Sequence, residues 1–170
     1  MKMLVALVVM LTTAGLWWAR RHLVHVTVAG QSMRPTLDEG DVVLARRTPP
    51  RSLRPRQIVV AERPCAPQRW NPPTGAAAGQ ITGDAWMIKR IAALRLDDGP
   101  AQGDAHLRST LPPGTVFLLG DNLPASQDSR GLGPWPVDRV LGVVVGRVRR
   151  APGSAPAADA TTWALPGAAR

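Results

Sequence analysis

Trp86-Met87-Ile88-Lys89-Arg90-Ile91-Ala92-Ala93-Leu94 decides how this chain reads. As a strand, its period of two puts Met87, Lys89, Ile91 and Ala93 on one face, so a lone amine stands among apolar neighbours. Further segments of the same short, β-branched character surround it: Leu23–Val28, Asp41–Arg46, Gln57–Ala61, Thr115–Leu119 and Arg139–Val148. Turn chemistry separates them at Glu39-Gly40, the Pro-rich stretch 48–55, Asp97-Asp98-Gly99-Pro100 and Pro112-Pro113-Gly114. The pattern predicts an all-β barrel or sandwich. Residues 63–80 predict a long loop. The tail 151–170, rich in Ala, Pro and Gly and without periodicity, predicts disorder.

Composition narrows the function. A chain of 170 residues suits one compact domain plus something small. With aromatic residues at 4% and no Tyr, the core is built mostly from Val, Ile, Leu and Ala. A single cysteine, Cys65, excludes an internal disulfide framework and any cysteine-ligated zinc or iron–sulfur site. The net charge of +9 leaves an acidic partner open, nucleic acid or an anionic membrane. Scattered arginines and a body poor in stacking residues argue against nucleic acid. Of the 21 basic residues only Lys2 and Lys89 are lysine, so Lys89 is the one lysine in the body of the protein. Arginine serves solubility and ion pairing, whereas only lysine loses its proton on burial.

Residues 3–19, MLVALVVMLTTAGLWWA, carry no charge and end in Trp17-Trp18 before Arg20-Arg21. Seventeen residues reach the short end of a membrane span, with the Trp pair where an interfacial belt stands. A cleaved signal peptide wants small residues after the apolar run, and Leu-Trp-Trp-Ala-Arg-Arg does not supply them. The expectation is an uncleaved transmembrane anchor with its flanks at 1–22, a body at 23–150 and the tail at 151–170. Arg20 and Arg21 outweigh Lys2, which taken alone puts the body on the cytoplasmic side.

Several familiar machines are missing. There is no phosphate-binding Gly-rich loop, and Gly30-Gln31-Ser32-Met33 runs into Arg34 rather than the Gly of a nucleophile elbow. His22 and His25 lie beside the anchor without a carboxylate partner, and His106 has no evident triad partner, so no metal site is expected. Ser32 remains, in Gly30-Gln31-Ser32-Met33-Arg34-Pro35-Thr36-Leu37, directly after a strand. Local spacing alone leaves it open as either a nucleophile or an ordinary turn serine. Lys89 adds weight to the first: a desolvated amine has a lowered pKa, and a serine activated by lysine needs no histidine.

These residues carry a resemblance. Ser32-Met33-Arg34-Pro35-Thr36 resembles the nucleophile motif of type I signal peptidases, the serine–lysine proteases that remove signal peptides from exported proteins. Met87-Ile88-Lys89-Arg90-Ile91 resembles their lysine motif, and Gly120-Asp121-Asn122 with Ser126-Gln127-Asp128-Ser129-Arg130 their third signature. The match runs in order from about Val28 to Val148. It implies a mostly β, barrel-like catalytic body behind a single N-terminal transmembrane helix. It also implies Ser32 as nucleophile, Lys89 as general base and Ser126 holding the lysine amine. An Asp128–Arg130 ion pair would brace that loop, and the Ser32 amide with Gly30 would form the oxyanion hole. Val28, Met33, Leu37 and Ile88 match positions that line pockets for small side chains. No cofactor or metal is implied. The implied partners are precursors bearing signal peptides and a lipid bilayer; nucleic acid is not among them, and the chain is expected to be a monomer. The resemblance places the catalytic body outside the cell membrane, against the arginine count, and that location is the one expected.

The chain also departs from the family pattern. Ala93-Leu94-Arg95-Leu96-Asp97 stands where Gly-Leu-Pro-Gly-Asp is usual, and Leu123-Pro124 follows Gly120-Asp121-Asn122 where Arg is common. The segment from Lys89 to Gly120 is too short for the larger accessory domain of some members. These changes put a general housekeeping role in doubt and leave a dedicated maturation protease, of the superoxide-dismutase type, as an alternative. A self-cleaving repressor of the same fold is disfavoured, because Ala29-Gly30 stands too close to Ser32 to be its substrate. From another class, a membrane-tethered β-module that binds anionic lipid without catalysis is the remaining alternative.

Overall fold

The computed structural model describes residues 2–70, 80–81 and 85–153, with backbone alone at 2, 4–6, 16, 18–20, 80 and 81. A helix, α1 (Lys2–His22), runs without a break into β1 (Leu23–Thr27). There follow β2 (Val42–Arg47), β3 (Ile58–Glu62), β4 (Gln80–Ile81), β5 (Trp86–Arg95) and β6 (Gln102–Gly103). The short helix α2 (Ala105–Arg108), β7 (Thr115–Leu119), α3 (Ser129–Leu132), β8 (Trp135–Pro136) and β9 (Val140–Arg149) complete the order. The strands form one curled sheet in the order β4-β1-β2-β9-β3-β5-β7-β8, with β6 against β5. Every pairing is antiparallel except that of β1 with β4. The result is a mostly β half-barrel, with β4 and β8 left as its edges.

Alternation explains why these segments are strands. In β3 Ile58 and Val60 join one core, with Val24, Val26, Val43, Ala45 and Ile88. Val59 and Ala61 join a second, with Met87, Ile91, Val116, Leu118 and Trp135. All five residues of β3 are buried, so the strand is covered on both faces and reads as one apolar run. In β5 Met87 and Ile91 face the second core and Ile88 the first, and the period of two carries Lys89 onto the side of Met87 and Ile91.

The six expected strands are present within one residue at either end. The short β4, β6 and β8 were not expected. Within the expected loop 63–80, residues 65–69 form a tight turn, with Cys65 N–H donating to the Arg69 carbonyl at 3.0 Å. The loop ends early, because Gln80 and Ile81 pair with His25 and Val26 along the otherwise open edge of β1. Residues 71–79 lie outside the described residues, as do 154–170 of the tail. The helix expected over 3–19 is α1. Among the described residues no helix is long and apolar enough to cross a membrane, so the structure establishes a helix there and not a span.

Trp135 closes the second core at 0% exposure, its Nε1 donating to the Glu62 carbonyl at 2.8 Å. Trp135→Ala leaves a cavity and removes the bond to the Glu62 carbonyl, at a cost of about 3–5 kcal/mol. The shift of the urea midpoint measures it, and an unchanged midpoint would refute this account of the core.

Candidate active site

The connection from β1 to β2 forms a loop with a closed neck. Val28 N–H donates to the Asp41 carbonyl at 2.8 Å and Gly40 N–H to the Val28 carbonyl at 2.9 Å. Gly30 takes φ +75°, a left-handed conformation that favours glycine, although space around it is open. Two residues on, Ser32 is half-buried. Met33 and Leu37, at 1% and 0% exposure, plug into the first core and hold the loop down from behind. Asp41, fully buried, accepts from Asp38 N–H and pairs with Arg147 at 3.0 Å. Arg147 also donates to the Thr36 carbonyl at 2.6 Å, which ties the loop to β9.

Lys89 reaches this loop from β5. Its Nζ donates to Ser32 Oγ at 2.7 Å, and the residue is 2% exposed. Burial pushes its pKa down from 10.5 to about 8; Asp128 pulls upward, Arg63 downward and Asp121 upward, each by less. A buried amine of lowered pKa in contact with a serine hydroxyl is able to take its proton and make it a nucleophile. The N–H of Ser32 makes no hydrogen bond among the described residues.

The third wall comes from the chain after β7. Gly120 packs so closely that a Cβ there would fall on Ser126 Oγ and on the Ser32 carbonyl oxygen. Gly120 N–H donates to Asp128 Oδ2 at 3.1 Å, and Asp128 pairs with Arg130 at 2.9 Å. Burial alone would raise the Asp128 pKa; the bonds from Arg130 and from Gly120 N–H outweigh it and hold the carboxyl below its ordinary value. Ser126 Oγ is buried and has no hydrogen-bond partner among the described residues, so the lysine amine is bonded to Ser32 and not to Ser126. Val28, Met33, Leu37 and Ile88 all belong to the core cluster beside this site.

Sequence reasoning assigned no role to several neighbours. Arg90 grips Asp121 with two hydrogen bonds, 2.8 and 2.7 Å, and Thr36 Oγ1 donates to the same carboxylate. Asn122 donates from its backbone to the Ser32 carbonyl at 3.0 Å and from its side chain to the Gln31 carbonyl at 3.1 Å. The signal was in view, since Gly120-Asp121-Asn122 is the opening of the third motif and Arg90 follows the lysine. Among the described residues no group of three or more His, Cys, Asp or Glu could hold a metal ion.

Comparison with known proteins supplies the family. Residues 97–149 match the family described as signal peptidase, peptidase S26. A mitochondrial ATP-independent inner membrane protease subunit 1a of Arabidopsis thaliana is 34% identical over 137 residues, 75% of this chain and 72% of that protein. The chain belongs to the S26 signal peptidase family. It is therefore a serine peptidase. Mitochondrial inner membrane protease subunit 1 of Mus musculus is 30% identical across 72% of this chain and 65% of its own length. Thylakoidal processing peptidase 1 of Arabidopsis thaliana is 30% identical across 68% of this chain and 39% of its own length.

Two outcomes follow for this S26 chain. Gly120→Ala forces the Ser126 hydroxyl or the Ser32 backbone to move, so peptidase activity should fall at least tenfold, with a stability loss of about 1–3 kcal/mol. Full activity in that variant would mean that the close approach is immaterial. The second outcome concerns pH. Between about pH 8 and 10.5 the unfolded chain binds the Lys89 proton and the folded chain does not, so stability rises with pH through that window. Below pH 8 the whole cost of the buried charge is present, on the order of 3 kcal/mol. Lys89→Met should therefore be the more stable protein at pH 6, with the gap closing toward pH 10.5 in denaturation curves. A gap independent of pH would show that the amine keeps its ordinary pKa.

Proposed function

We propose that this peptidase is a membrane-anchored endopeptidase that removes signal peptides from exported precursors, with Ser32 as nucleophile and Lys89 as general base. The observation that carries the reading is the 2.7 Å contact of a buried Lys89 amine with Ser32 Oγ. As ammonium, Lys89 donates in that contact; once neutral, it accepts the serine proton. Ser32 Oγ then attacks the scissile carbonyl, and the oxyanion takes up the free Ser32 N–H, with Gly30 shaping the backbone around it. Collapse passes the proton from Lys89 to the leaving amine and leaves an acyl-enzyme. Water, activated by the same amine, hydrolyses the ester. Ser126 positions the lysine when substrate is bound, and Asp128 with Arg130 fixes its loop. Ile88 and Val28 lie at the surface of the first core with Met33 and Leu37 packed behind them, and a pocket built on this backing suits Ala, Gly or Ser before the scissile bond.

The anchor is α1. Its uncharged stretch, residues 3–19, extends about 26 Å, the short end of a hydrocarbon layer of ~30 Å, with Lys2 and Arg20-Arg21 at its two ends. Leu7, Val8, Val9, Met10 and Leu11 are about half exposed or more, so α1 is apolar and bare on every side over more than a turn, as lipid would cover it. Thr12 and Thr13 donate their hydroxyls to carbonyls one turn back, which satisfies them without water. On this reading residues 1–22 hold the body 23–150 at the extracytoplasmic face. The names of two relatives describe subunits of an inner membrane protease, which favours work beside a second chain over the monomer expected from sequence.

Lys89→Arg tests the chemistry most sharply. Guanidinium keeps charge and reach yet cannot release its proton, so the variant should fold and lose about 10²–10⁴-fold or more of the precursor-cleavage rate, as Ser32→Ala does. The wild-type kcat/KM should rise with pH, half-maximal near the lysine pKa of about 8. A flat profile from pH 6 to 9, or substantial cleavage by the Arg variant, would overturn the serine–lysine reading.

A further inference from the structure

Outside α1, the large apolar side chains that stand exposed among the described residues are Leu123, Val145 and Val148. The two valines lie on β9, whereas Leu123 belongs to the segment that wraps the catalytic serine. Asn122, the residue before it, donates from its backbone to the Ser32 carbonyl and from its side chain to the Gln31 carbonyl. Leu123, Pro124 and Ala125 then form a single 3₁₀ turn, exposed at all three positions. The turn is tied down despite that exposure. Arg130 Nη2 donates to the Leu123 carbonyl at 2.6 Å and Ala125 N–H to the Asn122 carbonyl at 3.1 Å, while the Pro124 ring fixes its own φ. The charged neighbours are paired with one another, Arg130 with Asp128 at 2.9 Å and Arg90 with Asp121 at 2.7 Å. What the turn offers a substrate is therefore a fixed apolar surface, with Leu123 47% exposed.

We propose that Leu123, with Pro124, seats the side chain of the residue immediately after the scissile bond and selects an apolar one there. The proposal rests on the reading of Ser32 as nucleophile with a pocket backed by Val28 and Ile88, and it adds a contact on the leaving side. Two directions place the turn on that side. Along β5 the order is Ile88, Lys89, Arg90. Ile88 backs the pocket for the residue before the bond, whereas Arg90 pairs in register with Leu119, where β7 ends and the chain passes through Gly120 and Asp121 to Leu123. The turn thus springs from beyond Lys89, the side on which the leaving amine takes its proton. Across the sheet, Ile88 faces the first core and Lys89 the side of the second. Leu132 of α3 packs against the second core, so the segment that carries the turn lies over the face of Lys89. An extended peptide alternates its side chains, so a substrate that sends one residue toward Ile88 sends the next toward that face. Covering about 40 Å² of apolar surface there favours an apolar residue over a polar one by about fivefold.

Competition between peptides in one mixture, with the full chain in phosphatidylcholine vesicles, tests this. All the peptides carry Ala before the scissile bond and differ only in the next residue, Leu, Ser, Asp or Lys. Wild-type protein should process the Leu peptide with a kcat/KM about fivefold above that of the Ser peptide, and further above those of the charged ones. Leu123→Met should keep that preference, and Leu123→Ser should abolish it. Ratios taken from one mixture do not depend on how much of a variant is folded. Equal processing of the Leu and Ser peptides by the wild type, or a preference that survives in Leu123→Ser, would overturn the seat. Ser32→Ala separates this failure from that of the catalytic reading. Cleavage that needs Ser32 but ignores the residue after the bond keeps the serine–lysine reading and loses the seat. A preference that follows Leu123 while Ser32→Ala still cleaves keeps the seat and loses the nucleophile.

Discussion

A single buried amine organises this molecule. Lys89 sits on the central part of the sheet at 2% exposure, and no carboxylate takes it as an ion-pair partner among the described residues. Desolvation favours the neutral form, and it wins over the pull of two nearby carboxylates. That outcome depends on what those carboxylates do instead. Asp128 is held by Arg130 and by Gly120 N–H, and Asp121 is gripped by Arg90 and Thr36. Were either carboxylate released to the lysine, the pair would keep the amine charged and useless as a base. The arginines thus act on the Lys89 proton from a distance, by occupying acids that would otherwise hold it on the amine.

The serine side shows the same economy of motion. Its loop carries no regular structure, yet it is tied at many points: at the neck by Val28 with Asp41 and Gly40, from behind by Met33 and Leu37, and across by Asn122, Asp121 and Arg147. The distant ties come from the segment after β7 and from β9, so the site forms only when both pack against the β1–β2 loop and β5 brings Lys89 to it. Gly120 sets how closely they approach, since any side chain there would stand where Ser126 and the Ser32 carbonyl now meet. Geometry held in this way leaves little reorganisation for the reaction to supply.

The sequence revealed the long strands because burial on alternate positions writes itself into residue type. It concealed β4, β6 and β8, whose two residues are too few to show a period and whose pairing is imposed by neighbours. Lys89 was visible through composition, as the one lysine in a body otherwise charged by arginine, whereas the glycine and proline setting of Ser32 left it open until Lys89 and the three motifs were read beside it. The arginine–carboxylate network was not visible. With so many arginines in the chain, nothing local says that Arg90 rather than Arg95 meets Asp121, or that Arg147 reaches Asp41 across more than a hundred residues. Such partners are chosen by sheet order, which is a property of the folded chain. The positions expected to line a pocket lay between these cases: the burial of Val28 and Ile88 follows from strand alternation, whereas that of Met33 and Leu37 depends on how the loop folds back.

The unequal use of arginine and lysine then has a chemical sense. A basic group meant to stay charged serves best as guanidinium, which keeps its proton at any workable pH and can grip a carboxylate with two bonds, as Arg90 does with Asp121. A basic group meant to lose its proton must be an amine placed where water is absent. A second lysine near the site, in place of Arg90 or Arg130, would satisfy the charge balance but offer one point of attachment where two are now used. The carboxylate beneath it would be free to turn, and the nearest available cation would be Lys89. Arginine around the site and lysine within it are therefore one arrangement: the permanent charges hold the acids still so that the one lysine of the body can give up its proton near pH 8 beside Ser32.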